Sequence, residues 1–236
     1  MKKKYNVKYY GHSAYSVETE NYFLIFDYVG ESSENINGIE LSVKQSMINF
    51  NEISKQILMF NSHNHFDHYN PKLNKELSNN ENIFTIVGGY TDKIKNTMYI
   101  LPGDSINIKG VQIYAEHSTD IGVCFVLEVD GLIIYFAGDN IDWGDSKETT
   151  TKYLMSMYGI NTILNNRPID ICFVPVCNYS GQSYDSISDS AMYLCREFGA
   201  KDIYPMHAKD NDIPYHLFRD FCCDYNFNIN ILPKEK

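Results

Sequence analysis

The chain has 236 residues, 44% apolar and 21% charged, enough for a sizeable core and unlike a disordered chain. Acidic residues number 30 against 20 basic, a formal charge of −10. That excludes a broad basic footprint for nucleic-acid phosphates and disfavours adhesion to anionic membranes.

The N-terminus opens Met1-Lys2-Lys3-Lys4, but Tyr5–Tyr10 then alternates in polarity. No apolar signal-peptide region is expected, and no run of about 18 apolar residues predicts a membrane helix. Short β-type runs follow at Asn6–Tyr10, Ala14–Thr19 and Tyr22–Asp27, rich in Tyr, Val, Ile and Phe. Residues 31–50 are polar and carry no assignment. Gln56–Phe60 is a compact apolar strand leading into a histidine-rich loop, and Pro71 opens a helix-like Pro71–Ser78. Further strands are predicted at Ile83–Val87, Met98–Leu101, Ser105–Ile108, Val111–Ala115, Gly122–Val129 and Leu132–Ala137, with Asp130-Gly131 as a hairpin turn. The period then changes. Lys147–Tyr158, Ser186–Phe198 and Pro214–Tyr225 are helix-like and alternate with strands at Ile171–Val176 and Asp202–Met206. No linker or repeat divides the chain, so residues 1–236 are expected to form one domain. Strands followed by mixed strands and helices in each half predict an α+β, four-layer αββα sandwich.

The six cysteines form no CxxC pair and most have apolar neighbours. They predict buried free thiols in a reducing cytoplasm. The 19 tyrosines and 13 phenylalanines leave room for an aromatic patch at a homo-oligomer interface.

The chemistry lies in the histidines. His63-Asn64-His65-Phe66-Asp67-His68 directly follows an apolar strand. Imidazole suits Zn²⁺ and neighbouring transition metals, and carboxylate suits the harder end of that range. In an extended segment His63 and His65 point the same way. Asp67 and His68 follow where the chain turns and can serve a second metal. Other ligand-type residues leave strands at His117, at Asp139 in Ala137-Gly138-Asp139, and at His207 in Pro205-Met206-His207.

These residues give the chain a resemblance to the metallo-β-lactamase superfamily, and within it to the lactonase-like metal-dependent hydrolases. Tyr10-Gly11-His12-Ser13-Ala14 looks like that branch's Gly-His-Ser segment, and Leu24-Ile25-Phe26-Asp27 like the strand after it. His63–His68 resembles the superfamily signature. Leu101-Pro102-Gly103-Asp104 with Val111–His117, Phe136–Asp139, and Phe173 through His207 resemble the remaining ligand segments. The resemblance implies a metallo-β-lactamase-like fold holding two divalent metal ions, Zn²⁺ first and Mn²⁺ or Fe as alternatives. His63, His65 and His117 would hold one, and Asp67, His68 and His207 the other. Asp139 would bridge them together with a water or hydroxide.

Asp67 and Asp139 would orient the water or take its proton. His12 would stand in or beside the cleft, and Asp27 would orient a ligand histidine. The implied activity is hydrolysis of a small-molecule ester, lactone, amide or phosphoester. The alternative is a redox or non-catalytic metal-binding member of the same fold. Residues 177–184, Cys-Asn-Tyr-Ser-Gly-Gln-Ser-Tyr, depart from the branch's Gly-rich loop, so the substrate is not carried over. Lys72, Arg167, Lys209 and Arg219 are cations available to a phosphorylated substrate.

Overall fold

The computed structural model describes residues 5–89, 94–209 and 211–236; the Lys2–Lys4 run lies outside them. The chain condenses as two compact units, Met1–Ile100 with Leu232–Lys236, and Leu101–Ile231.

The first unit carries a sheet in the order β1-β2-β3-β6-β7-β8. Its strands are β1 (Asn6–Gly11), β2 (Ala14–Glu18), β3 (Tyr22–Phe26), β6 (Gln56–Asn61), β7 (Ile83–Gly88) and β8 (Thr97–Ile100). β1, β2 and β3 pair antiparallel, and β3, β6, β7 and β8 run parallel. Phe23, Ile25, Ile57, Met59 and Ile83 form a cluster against which Leu73 and Leu77 of α1 (Pro71–Leu77) pack. The alternate residues Leu24, Phe26, Leu58 and Phe60 are fully buried too. That is why these strands read as unbroken apolar runs.

This topology fixes one edge. Asp27 and Ser62 follow the carboxyl ends of the parallel strands β3 and β6. β1 ends, and β2 begins, at the same edge because β2 is antiparallel to β3, so His12 in the β1–β2 turn joins them.

The second unit carries β15-β14-β13-β12-β11-β10-β9. These are β9 (Ser105–Ile108), β10 (Val111–His117), β11 (Val123–Val129), β12 (Leu132–Phe136), β13 (Ile171–Pro175), β14 (Asp202–Met206) and β15 (Asn228–Ile229). β12 through β15 are parallel; β9, β10 and β11 are antiparallel neighbours. β10 therefore runs in the same direction as β12 and β14, and residues 117–120, Asp139 and His207 all leave at one edge. Asp130 and Gly131, with φ of +49° and +74°, make the tight β11–β12 turn.

The helices bury stripes at helical spacing: Tyr153, Met157, Ile160 and Leu164 on α2 (Lys147–Leu164), and Ile187, Ala191, Leu194 and Cys195 on α3 (Asp185–Glu197). α4 spans Ile213–Phe221. Among the described residues no helix is long and apolar enough to cross a membrane.

Three differences from the sequence expectation have local causes. Residues 31–44, without an assignment above, form a hairpin of β4 (Glu31–Ile36) and β5 (Ile39–Lys44). Most of its side chains are exposed and Glu31–Ile36 has no apolar alternation, although Ile39, Leu41 and Val43 alternate with polar neighbours on β5. Its turn signal is Asn37-Gly38, with φ of +54° and +85°. α2 runs six residues past the expected Tyr158, because Gly159 does not stop it; the left-handed Asn165 does. α4 ends at Phe221 rather than Tyr225, where Cys223 N–H tightens the last turn onto Asp220 O at 3.2 Å.

Gly159 serves packing. A Cβ there would overlap the carboxyl of Glu116 on β10. Gly159→Ala would by helix propensity gain about 1 kcal/mol, and part of that gain is expected to be lost in turning the Glu116 side chain aside. In a Glu116→Ala background the same change should raise the melting temperature further, and calorimetry on the four proteins of this cycle checks the difference.

Candidate metal centre

In the first unit the site is built around one buried carboxylate. Asp27 leaves β3 with φ of +44° and no solvent exposure. Its Oδ1 accepts from Ser62 N–H at 2.7 Å. Its Oδ2 accepts from the Ser62 hydroxyl at 2.8 Å and from His68 Nδ1 at 2.6 Å. Burial pushes this carboxyl above its ordinary range, and the nearby His68 and the hydrogen bonds pull it back. Since the Ser62 proton goes to Asp27, His63 Nδ1, 2.9 Å from the same hydroxyl oxygen, must be the donor there. Asp27 thus fixes both tautomers, with Nδ1 protonated and Nε2 left as the basic nitrogen on His63 and His68.

The loop from 61 to 69 is closed on itself. Asn61 Nδ2 donates to His68 O at 2.7 Å, and the amides of His68 and Tyr69 bond His65 O at 3.0 and 2.8 Å. This brings the motif's donors together. His63 Nε2 lies 3.0 Å from His65 Nδ1, and the His63 and His68 rings are 4.2 Å apart. Asp67 Oδ2 sits between His12 Nε2 at 3.0 Å and His68 Nε2 at 3.5 Å. His12, Asp67 and His68 each offer a ligand atom within 4.8 Å of the others. All three are buried, as is His63, while His65 is exposed. His12 therefore lies directly on a ligand-type carboxylate.

In the second unit His207 leaves β14 with φ of +79°. Its Nδ1 donates to Cys177 O at 3.0 Å, which leaves Nε2 facing Asp139 Oδ1 at 3.4 Å. The ring of Trp143 is 5.8 Å from that of His207. Non-glycine residues with positive φ are uncommon and concentrate at functional sites; His12, Asp27 and His207 are three of them. His117 is placed differently from its neighbours. It ends β10 exposed, with its amide bonded to Glu116 Oε1 at 2.8 Å, and stands in neither group of clustered donors. Asp120, which no sequence motif marks, offers its carboxylate within 4.8 Å of that of Asp139. Its position three residues beyond a strand, in a polar loop, carries no spacing signal.

Two of the four candidate cations are spent on ion pairs. Arg167 pairs with Glu128 at 2.8 Å and Arg219 with Asp220 at 3.5 Å. Lys209 lies over the ring of Tyr179, 5.0 Å from its centroid, which ties it to the loop at 177–184. Lys72 is exposed on α1, and His216 is half-buried on α4 near Asp212.

Buried imidazoles with fixed tautomers beside carboxylates are a donor set for zinc, manganese or iron. Thiolate is absent from it. Burial pushes the Cys124 and Cys177 thiols up to about 12, and Cys177 Sγ is occupied in a contact to His207 O at 3.3 Å.

Two measurements follow from this geometry. Asp27→Ala leaves two Ser62 donors and His68 Nδ1 without their acceptor. It should cost about 3 kcal/mol in urea unfolding of the metal-free protein and weaken metal affinity about 10- to 100-fold in a chelator competition. Of the six cysteines only Cys223 is exposed. Iodoacetamide at pH 8 should therefore add one label to the native chain and six in denaturant, read by intact mass.

A model described as beta-lactamase superfamily domain matches residues 6–207. No curated protein matches the chain. Among solved structures, Igni18, a metallo hydrolase from Ignicoccus hospitalis, superposes with a TM-score of 0.66 at 15% identity, covering 98% of this chain and 96% of that one. CmlA, a diiron β-hydroxylase from Streptomyces venezuelae, gives 0.64 at 11% identity over 98% of this chain and 53% of its own. The isothiocyanate hydrolase from Delia radicum gut bacteria gives 0.63 at 11% identity over 98% and 97%. At such identities the likeness is one of fold. The family match spans most of the chain and all of its motif residues, and on that ground the protein belongs to the metallo-β-lactamase superfamily and has its fold.

Proposed function

We propose that the protein is a dinuclear metal-dependent hydrolase acting on a small-molecule ester, lactone, amide or phosphoester, in a cytoplasmic setting that suits its free thiols. The observation that carries this reading is the Asp27–Ser62–His63 and Asp27–His68 network. A buried carboxylate that fixes two imidazole tautomers is the arrangement that prepares histidines to bind a metal. Bound divalent ions supply a hydroxide at neutral pH and polarise the carbonyl or phosphoryl oxygen under attack.

The chain's own residues do the rest. Asp139 and Asp67 orient the nucleophilic water and accept its proton. His12, 3.0 Å from Asp67 Oδ2, keeps that carboxylate turned toward its task. Trp143 beside His207 offers an apolar wall to a small substrate. The lactonase-like branch is supported by the Gly11-His12-Ser13 turn, whose histidine is buried against Asp67. The loop at 177–184 is the part of the site through which a different substrate would be selected.

A second reading, redox chemistry at two iron ions, is favoured by one observation. A solved structure that shares this fold is described as a diiron β-hydroxylase.

Elemental mass spectrometry on untagged protein, purified without added metal, is the test. About two equivalents of metal per chain are expected. His63→Ala and Asp139→Asn should each abolish hydrolysis in a screen of lactones, phosphodiesters and acyl amides while leaving the circular dichroism unchanged. Zinc or manganese supports hydrolysis, and two irons favour the second reading. No metal, and no uptake on dialysis against Zn²⁺ or Mn²⁺, overturns both.

A further inference from the structure

We propose that Asp120 is a metal ligand of this centre and that Thr119 is the positioning residue that holds it in register with Asp139; this rests on the metal-centre reading above. The β10–β11 loop carrying Asp120 and the segment after β12 carrying Asp139 leave the sheet at the same edge. The two carboxylates lie within 4.8 Å of one another. Like charges held this close repel, and a divalent cation between them turns the repulsion into attraction.

The two loops are tied together at Asp139 and Ile141. Thr119 is buried, and its hydroxyl accepts from Ile141 N–H at 3.0 Å. Its single proton is shared between Asp139 O at 2.9 Å and Ile141 O at 2.8 Å. Between these two residues Asn140 is fully buried. It donates to the Ser156 hydroxyl at 2.8 Å and the Tyr135 hydroxyl at 3.1 Å. The backbone at Asp139 is therefore tied to the loop that carries Asp120. Beside Thr119, Ser118 is 8% exposed, and its buried hydroxyl has no hydrogen-bond partner among the described residues. Such a buried group is costly unless something else satisfies it.

His117 has no comparable placement. It and Asp120 are both exposed, but His117 lies outside both groups of clustered donors whereas Asp120 belongs to one. A carboxylate in place of an imidazole makes the donor set harder, which shifts preference from Zn²⁺ toward Mn²⁺ or Fe²⁺.

The experiment measures metal per chain and affinity by chelator competition. Full-length protein is loaded with Zn²⁺, Mn²⁺ or, without oxygen, Fe²⁺. Asp120→Asn, His117→Ala, Thr119→Val and Thr119→Ser are compared with the parent, and metal-free melting curves verify that each folds. Asp120→Asn should lose about one equivalent or bind Mn²⁺ at least tenfold more weakly, whatever His117→Ala does. Thr119→Val should weaken binding about 10- to 100-fold, and Thr119→Ser, which keeps the hydroxyl, should restore it. Parent-like stoichiometry and affinity in Asp120→Asn overturns the ligand assignment while leaving the dinuclear reading intact. Parent-like affinity in Thr119→Val overturns the positioning role. A parent chain that takes up no metal overturns the underlying reading, and this inference with it.

Discussion

Asp27 makes three hydrogen bonds in a place where water cannot reach it. A buried carboxylate is costly, and only a full set of donors makes it tolerable. Ser62 and His68 are those donors, and both belong to the loop after β6. The cost of burying one charge is therefore met by ordering the loop that carries the motif histidines. The loop's shape, the tautomers of His63 and His68, and the position of Asp67 beside His12 follow from this one constraint.

The constraint works because the backbone brings the partners to one edge. β3 and β6 are parallel neighbours, so Asp27 and Ser62 emerge side by side. In the second unit β10, β12 and β14 run the same way and release residues 117–120, Asp139 and His207 at one edge. Turn residues there must change direction abruptly. His12, Asp27 and His207 accept positive φ for a side chain that glycine lacks. The strain is held by buried partners: Asp67 for His12, His68 for Asp27, and Cys177 O for His207.

The sequence alone determined the family, the strand-to-helix order and the motif His63–His68. These are local properties: apolar period, turn dipeptides, and donor residues packed into six positions. The Asp130-Gly131 turn and the buried faces of α2 and α3 were legible for the same reason. Asn37-Gly38 was an equally good turn signal, but the strand before it, Glu31–Ile36, is polar and exposed and gives Ile39, Leu41 and Val43 no apolar partner strand in the sequence. What only the tertiary structure decided is which distant residues meet. Asp27 and His68 are 41 positions apart, and Thr119 and Asp139 are 20 apart. No spacing rule links them, because strand register and direction, not sequence separation, bring them together. For the same reason the sequence singled out His117, the recognisable ligand type, whereas the fold set Asp120 beside Asp139.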